Sequence, residues 1–272
     1  MQTFKDKTII ITGASAGVGA AVARAFAAQG ANLVLNARGA AALDKIAAEL
    51  GAHTEVLAVA ADMASVDACE SLIQQAKDRF GRIDVLVNNA GLHIRGDVET
   101  NQPRDYATMV DVNLRAPIVL SAAALPHIKA AGGGAIVMIG SLAGMGPLQG
   151  AATYSATKAG LRTFTYALSD ELRGSGVQVA VVSPGPINTG FIMDEMDKVE
   201  DIVFSQPMSS AEQVADNVLE LASGDQTEIA MPWFSGKLVT MGYLFPRIRR
   251  ALRPKLYAKG RKNKQKYRQQ NT

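Results

Sequence analysis

At 272 residues with 48% hydrophobic content, the chain can bury one sizeable α/β core. Its single cysteine, Cys69, excludes an intramolecular disulfide and fits a reducing compartment. The net charge of +3 hides a split: residues 229–272 hold 12 of the 28 Lys/Arg and none of the 25 Asp/Glu, which leaves the rest at −9.

The polar start, Met1-Gln-Thr-Phe-Lys-Asp-Lys, shows no leader pattern, and no uninterrupted apolar run reaches the length of a membrane span. Lys7-Thr-Ile-Ile-Ile-Thr12 is a β-branched run suited to a buried strand. It feeds into Gly13-Ala-Ser-Ala-Gly17-Val-Gly19 and then apolar residues, Ala20 to Ala28, that suit a helix. Strand, glycine-rich turn and helix start predict a phosphate-binding unit. Glycines let the backbone approach a pyrophosphate, and the helix N-terminus offers free N–H groups and positive dipole. Asn32-Leu-Val-Leu-Asn36 reads as strand two, after a glycine-ended helix at Gly30. A dinucleotide fold reads the adenosine ribose at the end of this strand, with an acid for a free 2′-hydroxyl or an arginine for a 2′-phosphate. Here Ala37 stands in the acid's place and Arg38 follows, which favours NADP(H) over NAD(H) and over an ordinary surface arginine.

Ala40 to Leu50 reads as a scaffold helix, and strand three runs from Thr54 to Ala60. Asp62 then suits an N-cap for the next helix, in which Cys69 reads as packing. Gly81 to Gly91 gives strand four and its exit, Asn88-Asn89-Ala90-Gly91, with His93 and Arg95 in the loop beyond, where either can reach a substrate. A long helical segment is predicted from Pro103 to Ala130, punctuated by Pro117 and Pro126. Gly134 to Gly140 is strand five, and Ser141 stands at its C-terminal end, where open parallel sheets place ligands. A Gly/Pro loop follows, and from Tyr154 onward the residues suit a helix. Tyr154 and Lys158 are four apart and share a helix face. An ammonium beside a phenol stabilises the phenolate and brings Tyr154 closer to neutral pH as an acid or base. Taken alone, a Tyr–Lys pair on a solvated face explains the spacing better. Strand six, Val177 to Val182, leads to Ser183-Pro184-Gly185-Pro186-Ile187-Asn188-Thr189. Phe191 to Met208 lacks a clean period and reads as a mobile lid. Ser209 or Ser210 caps a helix to Ala222, and Glu228 to Pro232 is a last short strand.

Gly13-x-x-x-Gly17-x-Gly19, Asn88-Asn-Ala-Gly91, Ser141, Tyr154-x-x-x-Lys158 and Pro184-Gly185 together resemble the short-chain dehydrogenase/reductase family, over residues 5 to about 230. The resemblance implies an α/β fold: a Rossmann-type, doubly wound, mostly parallel sheet in a single domain. It implies a catalytic tetrad of Asn113, Ser141, Tyr154 and Lys158. Ser141 orients the substrate oxygen, and Tyr154 exchanges a proton with it. Lys158 lowers the phenol pKa and binds the nicotinamide ribose, and Asn113, at a helix irregularity, supports the proton relay. For the cofactor it implies Gly13, Ser15, Gly17, Val18 and Gly19 at the glycine loop, and Asp62 and Met63 at the adenine pocket. Asn89, Ala90 and Gly91 would line the adenine-ribose side, and Pro184, Gly185, Ile187 and Thr189 the nicotinamide. One departure is Ala16, where the family's second basic aid to a 2′-phosphate stands.

The implied function is NADP(H)-linked interconversion of a carbonyl and a secondary alcohol, with no metal, since no Cys/His cluster is present. Met193, Met196, Phe204 and Trp233 suggest a pocket wall for an apolar, steroid- or lipid-like substrate, with the alternative that Met and Phe at these places merely seal the lid. The alternative is a non-catalytic NADP(H)-binding or sensing protein. Nucleic-acid binding lacks support, because the body is acidic and the tail holds no recognition motif. A homodimer or higher homo-oligomer is expected, in the cytoplasm, with one reading of the tail placing it peripherally on a membrane.

The chain divides at residues 1–232, the catalytic domain, and 233–272, a basic extension. Met241, Phe245, Ile248, Leu252 and Leu256 recur at helical spacing among Arg247, Arg249, Arg250 and Arg253, interrupted by Pro246 and Pro254. Lys259 to Thr272 reads as disordered. Three readings of the tail stay open. The apolar stripe packs on the body or a second subunit, the charge neutralises the acidic body, or the tail lies on an anionic membrane surface.

Overall fold

The structure, a computed structural model, describes residues 4–270. Seven strands form one all-parallel sheet: β1 (Thr8–Thr12), β2 (Asn32–Ala37), β3 (Val56–Ala60), β4 (Val85–Asn88), β5 (Gly134–Ile139), β6 (Val177–Pro184) and β7 (Glu228–Met231). Their order is β3-β2-β1-β4-β5-β6-β7. The order reverses between β1 and β4, and ligands of such sheets bind in the crevice beyond the strand C-termini at that switch.

Alternation along each strand sends neighbouring side chains to opposite faces, and both faces are covered. Ile9, Ile11, Leu33, Leu35, Val85 and Val87 bury one way, beneath α1 (Gly17–Ala27), α2 (Ala40–Gly51) and, further along the chain, the helix Ala211–Ser223. Ile10, Val34, Leu86, Ile136, Met138 and Val181 bury the other way. There they meet α3 (Val66–Phe80), α5 (Ala116–Ala130) and α6 (Ala152–Glu171), with α4 (Pro103–Val110) leading into α5. Full burial of each such side chain contributes about 1.5–3 kcal/mol, so the two layers supply most of the driving force.

The predicted helix from Pro103 to Ala130 is broken at Asp111–Arg115, which winds as a π-turn and holds Asn113 fully buried. This run is long and apolar enough to cross a membrane, yet Leu120, Ala124 and Ile128 of its second half are core residues of the sheet's face. Asp62 does not cap α3. That place belongs to Ser65, which accepts from the Ala68 N–H at 3.3 Å, while Asp62 accepts from Ala64 within its own turn at 2.9 Å. Cys69 is buried against Met63, and burial pushes its thiol up to about 11.

After β6 come a single turn, α7 (Gly190–Met193), two short 3₁₀ turns, Met196–Lys198 and Asp201–Ser205, and α8 (Ala211–Ser223). Ser210 and Gln213 close a reciprocal capping box on α8. β7 is held to α6 by Glu228, which accepts from Arg162 at 2.6–3.0 Å, Tyr166 at 2.9 Å and Ser183 at 2.7 Å.

The tail departs from the expected disorder. It forms α9 (Trp233–Leu244) and α10 (Pro246–Gln270), so residues 259–270 are helical; Asn271 and Thr272 lie outside the described residues. The physical reason is docking on the lid. A Cβ on Gly260 would overlap the Asp201 carbonyl oxygen, so glycine lets α10 touch the lid backbone. Lys264 donates to the Val199 carbonyl at 2.7 Å, Asn263 to the Phe204 carbonyl at 2.9 Å, and Tyr257 to Glu200 at 2.9 Å. Tyr267 packs on a small cluster of Ile192, Met196, Val199 and Phe204. Neither the packing nor the pairing could be read locally, because the partner lies some 60 positions earlier in the chain.

Candidate active site

The glycine loop is built by β1 and β4 together. Thr12, the last residue of β1, accepts at its hydroxyl from the backbone N–H of Asn89 at 3.0 Å and of Ala90 at 2.9 Å. Asn89 Nδ2 returns bonds to the carbonyls of Thr12 at 2.8 Å and Gly13 at 3.1 Å. Gly13 and Gly17 take the left-handed conformation, and a Cβ on Gly19 would overlap the Gly13 carbonyl oxygen. α1 therefore begins directly beneath the loop. Its N-cap, Ala16, has no side chain able to cap it, which leaves first-turn N–H groups and the positive dipole end for an anion. This cradle fits a dinucleotide pyrophosphate.

At the end of β5, Ser141 starts a short turn and its hydroxyl accepts from the Ala143 N–H at 3.1 Å. α6 brings Tyr154 and Lys158 to the same place, with the Lys158 Nζ 5.8 Å from the centre of the Tyr154 ring. Lys158 is 5% exposed and donates to the Ile139 carbonyl at 2.7 Å. Asn113 is clamped to the loop after β4: its Oδ1 accepts from the Leu92 N–H and its Nδ2 donates to the Leu92 carbonyl, both at 2.8 Å, with Thr157 at 3.3 Å. The π-turn thereby sets the height of Gly91 and of the residues that follow.

Among those, His93 stacks on Tyr154 with ring centres 4.1 Å apart and planes 13° from parallel. Its Nδ1 lies 2.9 Å from Arg95 Nη1; an arginine only donates, so Nδ1 is the acceptor and the neutral ring carries its proton on Nε2. Arg95 also donates to the Phe191 carbonyl at 2.6 Å and pairs with Glu195 at 3.3 Å, which ties this loop to the lid. Burial, then the charges of Arg95 and Lys158, push His93 down to about 3, so it is no base at neutral pH.

Burial adds an influence on Tyr154 that helical spacing does not show. Enclosure is the largest influence on Tyr154 and raises its pKa; the Ser141 hydrogen bond and the Arg95 charge pull the other way. The Lys158 ammonium donates to the Ile139 carbonyl, and burial drops its own pKa to about 8.

One cavity of about 750 Å³ contains the glycine loop (Gly13, Gly17, Val18, Gly19), the strand-four exit (Asn89, Ala90, Gly91), Ser141, Tyr154, Lys158, and the turn with Pro184, Gly185, Ile187 and Thr189. Thr189 faces Gly17 across it. Ser15, Arg38, Asp62, Met63 and Asn113 lie outside its walls. Arg38 is exposed just beyond β2 and forms no ion pair among the described residues; Met63 is buried in the core and Asp62 is exposed beyond β3. Thr12 was not singled out by the sequence, although a hydroxyl ending the strand before a glycine turn was the available signal. The cavity also reaches Phe234, Leu238, Leu256 and Lys259 of the tail, which no local pattern indicated.

Residues 7–200 match the short chain dehydrogenase family. The ketoacyl reductase HetN of Nostoc sp. is 35% identical over 231 residues, which cover 84% of this chain and 79% of that one. A metagenomic short-chain oxidoreductase crystallised with NADP shares 32% identity at a TM-score of 0.72, covering 84% of this chain and 98% of its own. A Mycobacterium paratuberculosis short chain dehydrogenase bound to NAD shares the fold at a TM-score of 0.78 and 24% identity, covering 87% and 100%. With its seven-stranded parallel sheet, its glycine cradle and a match across most of its length, the chain belongs to the short chain dehydrogenase family of oxidoreductases.

Proposed function

We propose that the protein interconverts a carbonyl and a secondary alcohol with NADP(H), on an apolar substrate. The observation that carries this reading is the meeting, in one cavity, of the glycine cradle with Ser141, Tyr154 and Lys158. Gly13, Gly17 and Gly19 would hold the pyrophosphate, Lys158 the nicotinamide ribose, and Thr189 with Ile187 the carboxamide. When bound, NADP(H) supplies hydride to the carbonyl carbon or accepts it from the alcohol. Ser141 hydrogen-bonds the substrate oxygen and orients it, and the Tyr154 phenol gives that oxygen its proton in reduction. A raised phenol pKa keeps Tyr154 protonated at neutral pH, the form a general acid needs. Alcohol oxidation requires the opposite form and gains rate as pH rises. Asn113 holds the loop that carries Gly91 and His93 against the tyrosine.

The preference for NADPH rests on Arg38, an exposed guanidinium beyond β2 with no ion pair among the described residues, and on Ala37 in place of an acid. We place residues 1–232 as the catalytic domain and 233–272 as an extension, in a cytoplasmic homo-oligomer. The apolar reading draws support from Leu148, Ile192, Phe234, Leu238 and Val239, which line the cavity. Met193, Met196, Phe204 and Trp233, first read as that wall, are not part of it, and the first three pack in the lid cluster with Tyr267. NADPH oxidation with ketones and aldehydes of increasing chain length, and NADP⁺ reduction with the alcohols, tests it. Cofactor binding without turnover of any carbonyl or alcohol would favour a binding or sensing protein instead.

A further inference from the structure

Sixteen large hydrophobic residues are exposed among the described residues, and ten of them fall between Trp233 and Leu256. Single exposed apolar side chains are ordinary; a contiguous group of this size marks an interaction surface. α10 shows how it arises. The helix packs inward with Arg249, Arg253, Tyr257, Gly260, Lys264 and Tyr267, a stripe at intervals of four and three. Its outward line, Ile248, Leu252, Lys255, Lys259, Lys262 and Lys266, repeats at the same intervals and is exposed throughout. The apolar half adjoins the exposed residues of α9, and the other half is all lysine.

Charge selects the occupant. From residue 229 onward there is no acidic residue, so a second copy docked symmetrically would set arginines and lysines against themselves. The nearby acids are already engaged: Asp197 by Arg268, Glu200 by Tyr257, and Asp201 by Arg261 and Lys264. Arg247, Arg250, Lys255, Lys262 and Lys266 are exposed and form no ion pair among the described residues. An anionic bilayer offers apolar depth and negative charge together. α9 is 12 residues long, and the apolar part of α10 is shorter still, so the helices lie in the interface rather than cross it.

The same surface walls the cavity. Phe234, Leu238 and Leu256 are exposed on their outer side and also line the space that holds Tyr154. We propose that α9 and the first half of α10 seat this protein on an anionic phospholipid bilayer, with the cavity mouth against the lipid, and that its substrate is a carbonyl or alcohol carried on a long apolar chain drawn from that lipid. The docking stands independently of the chemistry; the substrate clause rests on the reading in the preceding subsection.

The test sediments full-length protein with vesicles of phosphatidylcholine alone or mixed with phosphatidylglycerol, at low and high salt. Two triple variants avoid the cavity lining: Leu244→Ser, Ile248→Ser, Leu252→Ser, and Lys255→Gln, Lys262→Gln, Lys266→Gln. Wild type should pellet with the mixed vesicles, and loss of three lysines should weaken this by about 10- to 100-fold at low salt. The apolar variant should lose the binding that survives high salt. It should also turn over a vesicle-dissolved long-chain ketone at least about tenfold more slowly, with a water-soluble ketone unaffected. No pelleting of wild type with mixed vesicles at low salt, or equal pelleting of all three proteins, overturns the proposal. So does a wild-type dimer without vesicle affinity that the apolar variant dissociates, since a second copy would then own the surface. Vesicle binding without turnover of any ketone would uphold the docking and reject the carbonyl chemistry.

Discussion

Replacing Lys158 with methionine should abolish turnover and yet stabilise the cofactor-free protein at neutral pH. The ammonium is 5% exposed, and burial lowers its pKa from 10.5 to about 8. Below pH 8 both folded and unfolded chains carry the proton, so the full cost of burying it is present, about 3 kcal/mol for a shift of this size. Between pH 8 and 10.5 the folded lysine is neutral while the unfolded one still binds a proton, so wild-type stability rises with pH. Methionine fills similar volume without the charge, but leaves the Ile139 carbonyl unpaired at about 1–2 kcal/mol. The variant should therefore be about 1–2 kcal/mol more stable at pH 7. That advantage should shrink by about 2 kcal/mol at pH 9.5, vanishing or reversing. Urea unfolding of both proteins at the two pH values measures this directly. A variant less stable than wild type at pH 7, by an amount that does not change with pH, would refute the claim that Lys158 is held as a costly buried cation.

Arg38→Ala should cost about 10- to 100-fold in NADPH affinity and leave NADH affinity unchanged, as read by fluorescence titration; equal losses for both would refute a 2′-phosphate contact. Gly19→Ala forces a Cβ into the Gly13 carbonyl and should cost about 1–3 kcal/mol of stability together with most dinucleotide affinity, measured by thermal unfolding and titration. Gly260→Leu should lift α10 from Asp201, and hydrogen exchange should speed up across residues 196–208 while the sheet stays protected.

The sheet was legible because its strands are buried on both faces and so read as unbroken apolar runs, as Ile9-Ile10-Ile11 and Val85-Leu86-Val87 do. The juxtaposition of Tyr154 and Lys158 followed from helical spacing, and that of Ser141 from its place at a strand end. The direction in which Lys158 points did not follow, because its partner, the Ile139 carbonyl, belongs to a different element, β5. His93 and Arg95 were visible only as loop residues; their stacking on Tyr154 and tie to the lid depend on the π-turn at Asn113 fixing Leu92. The tail reads amphipathic, but amphipathicity does not say which face turns inward. Here Lys264 and Tyr267 dock on the lid, and Ile248 and Leu252 face out, since the lid offers carbonyls and carboxylates as well as an apolar cluster.

The proton donor is the core of the functional reading, and Tyr154→Phe isolates it by removing one oxygen from a side chain that the pocket encloses. The measurement is a paired one on wild type and variant: NADPH affinity by titration, and the single-turnover rate of NADPH oxidation with the best ketone substrate. Tyr154 as general acid predicts affinity within about threefold of wild type and a rate lower by about 10²–10⁴. A variant that oxidises NADPH within about tenfold of the wild-type rate would show that another group supplies the proton, and would contradict the account.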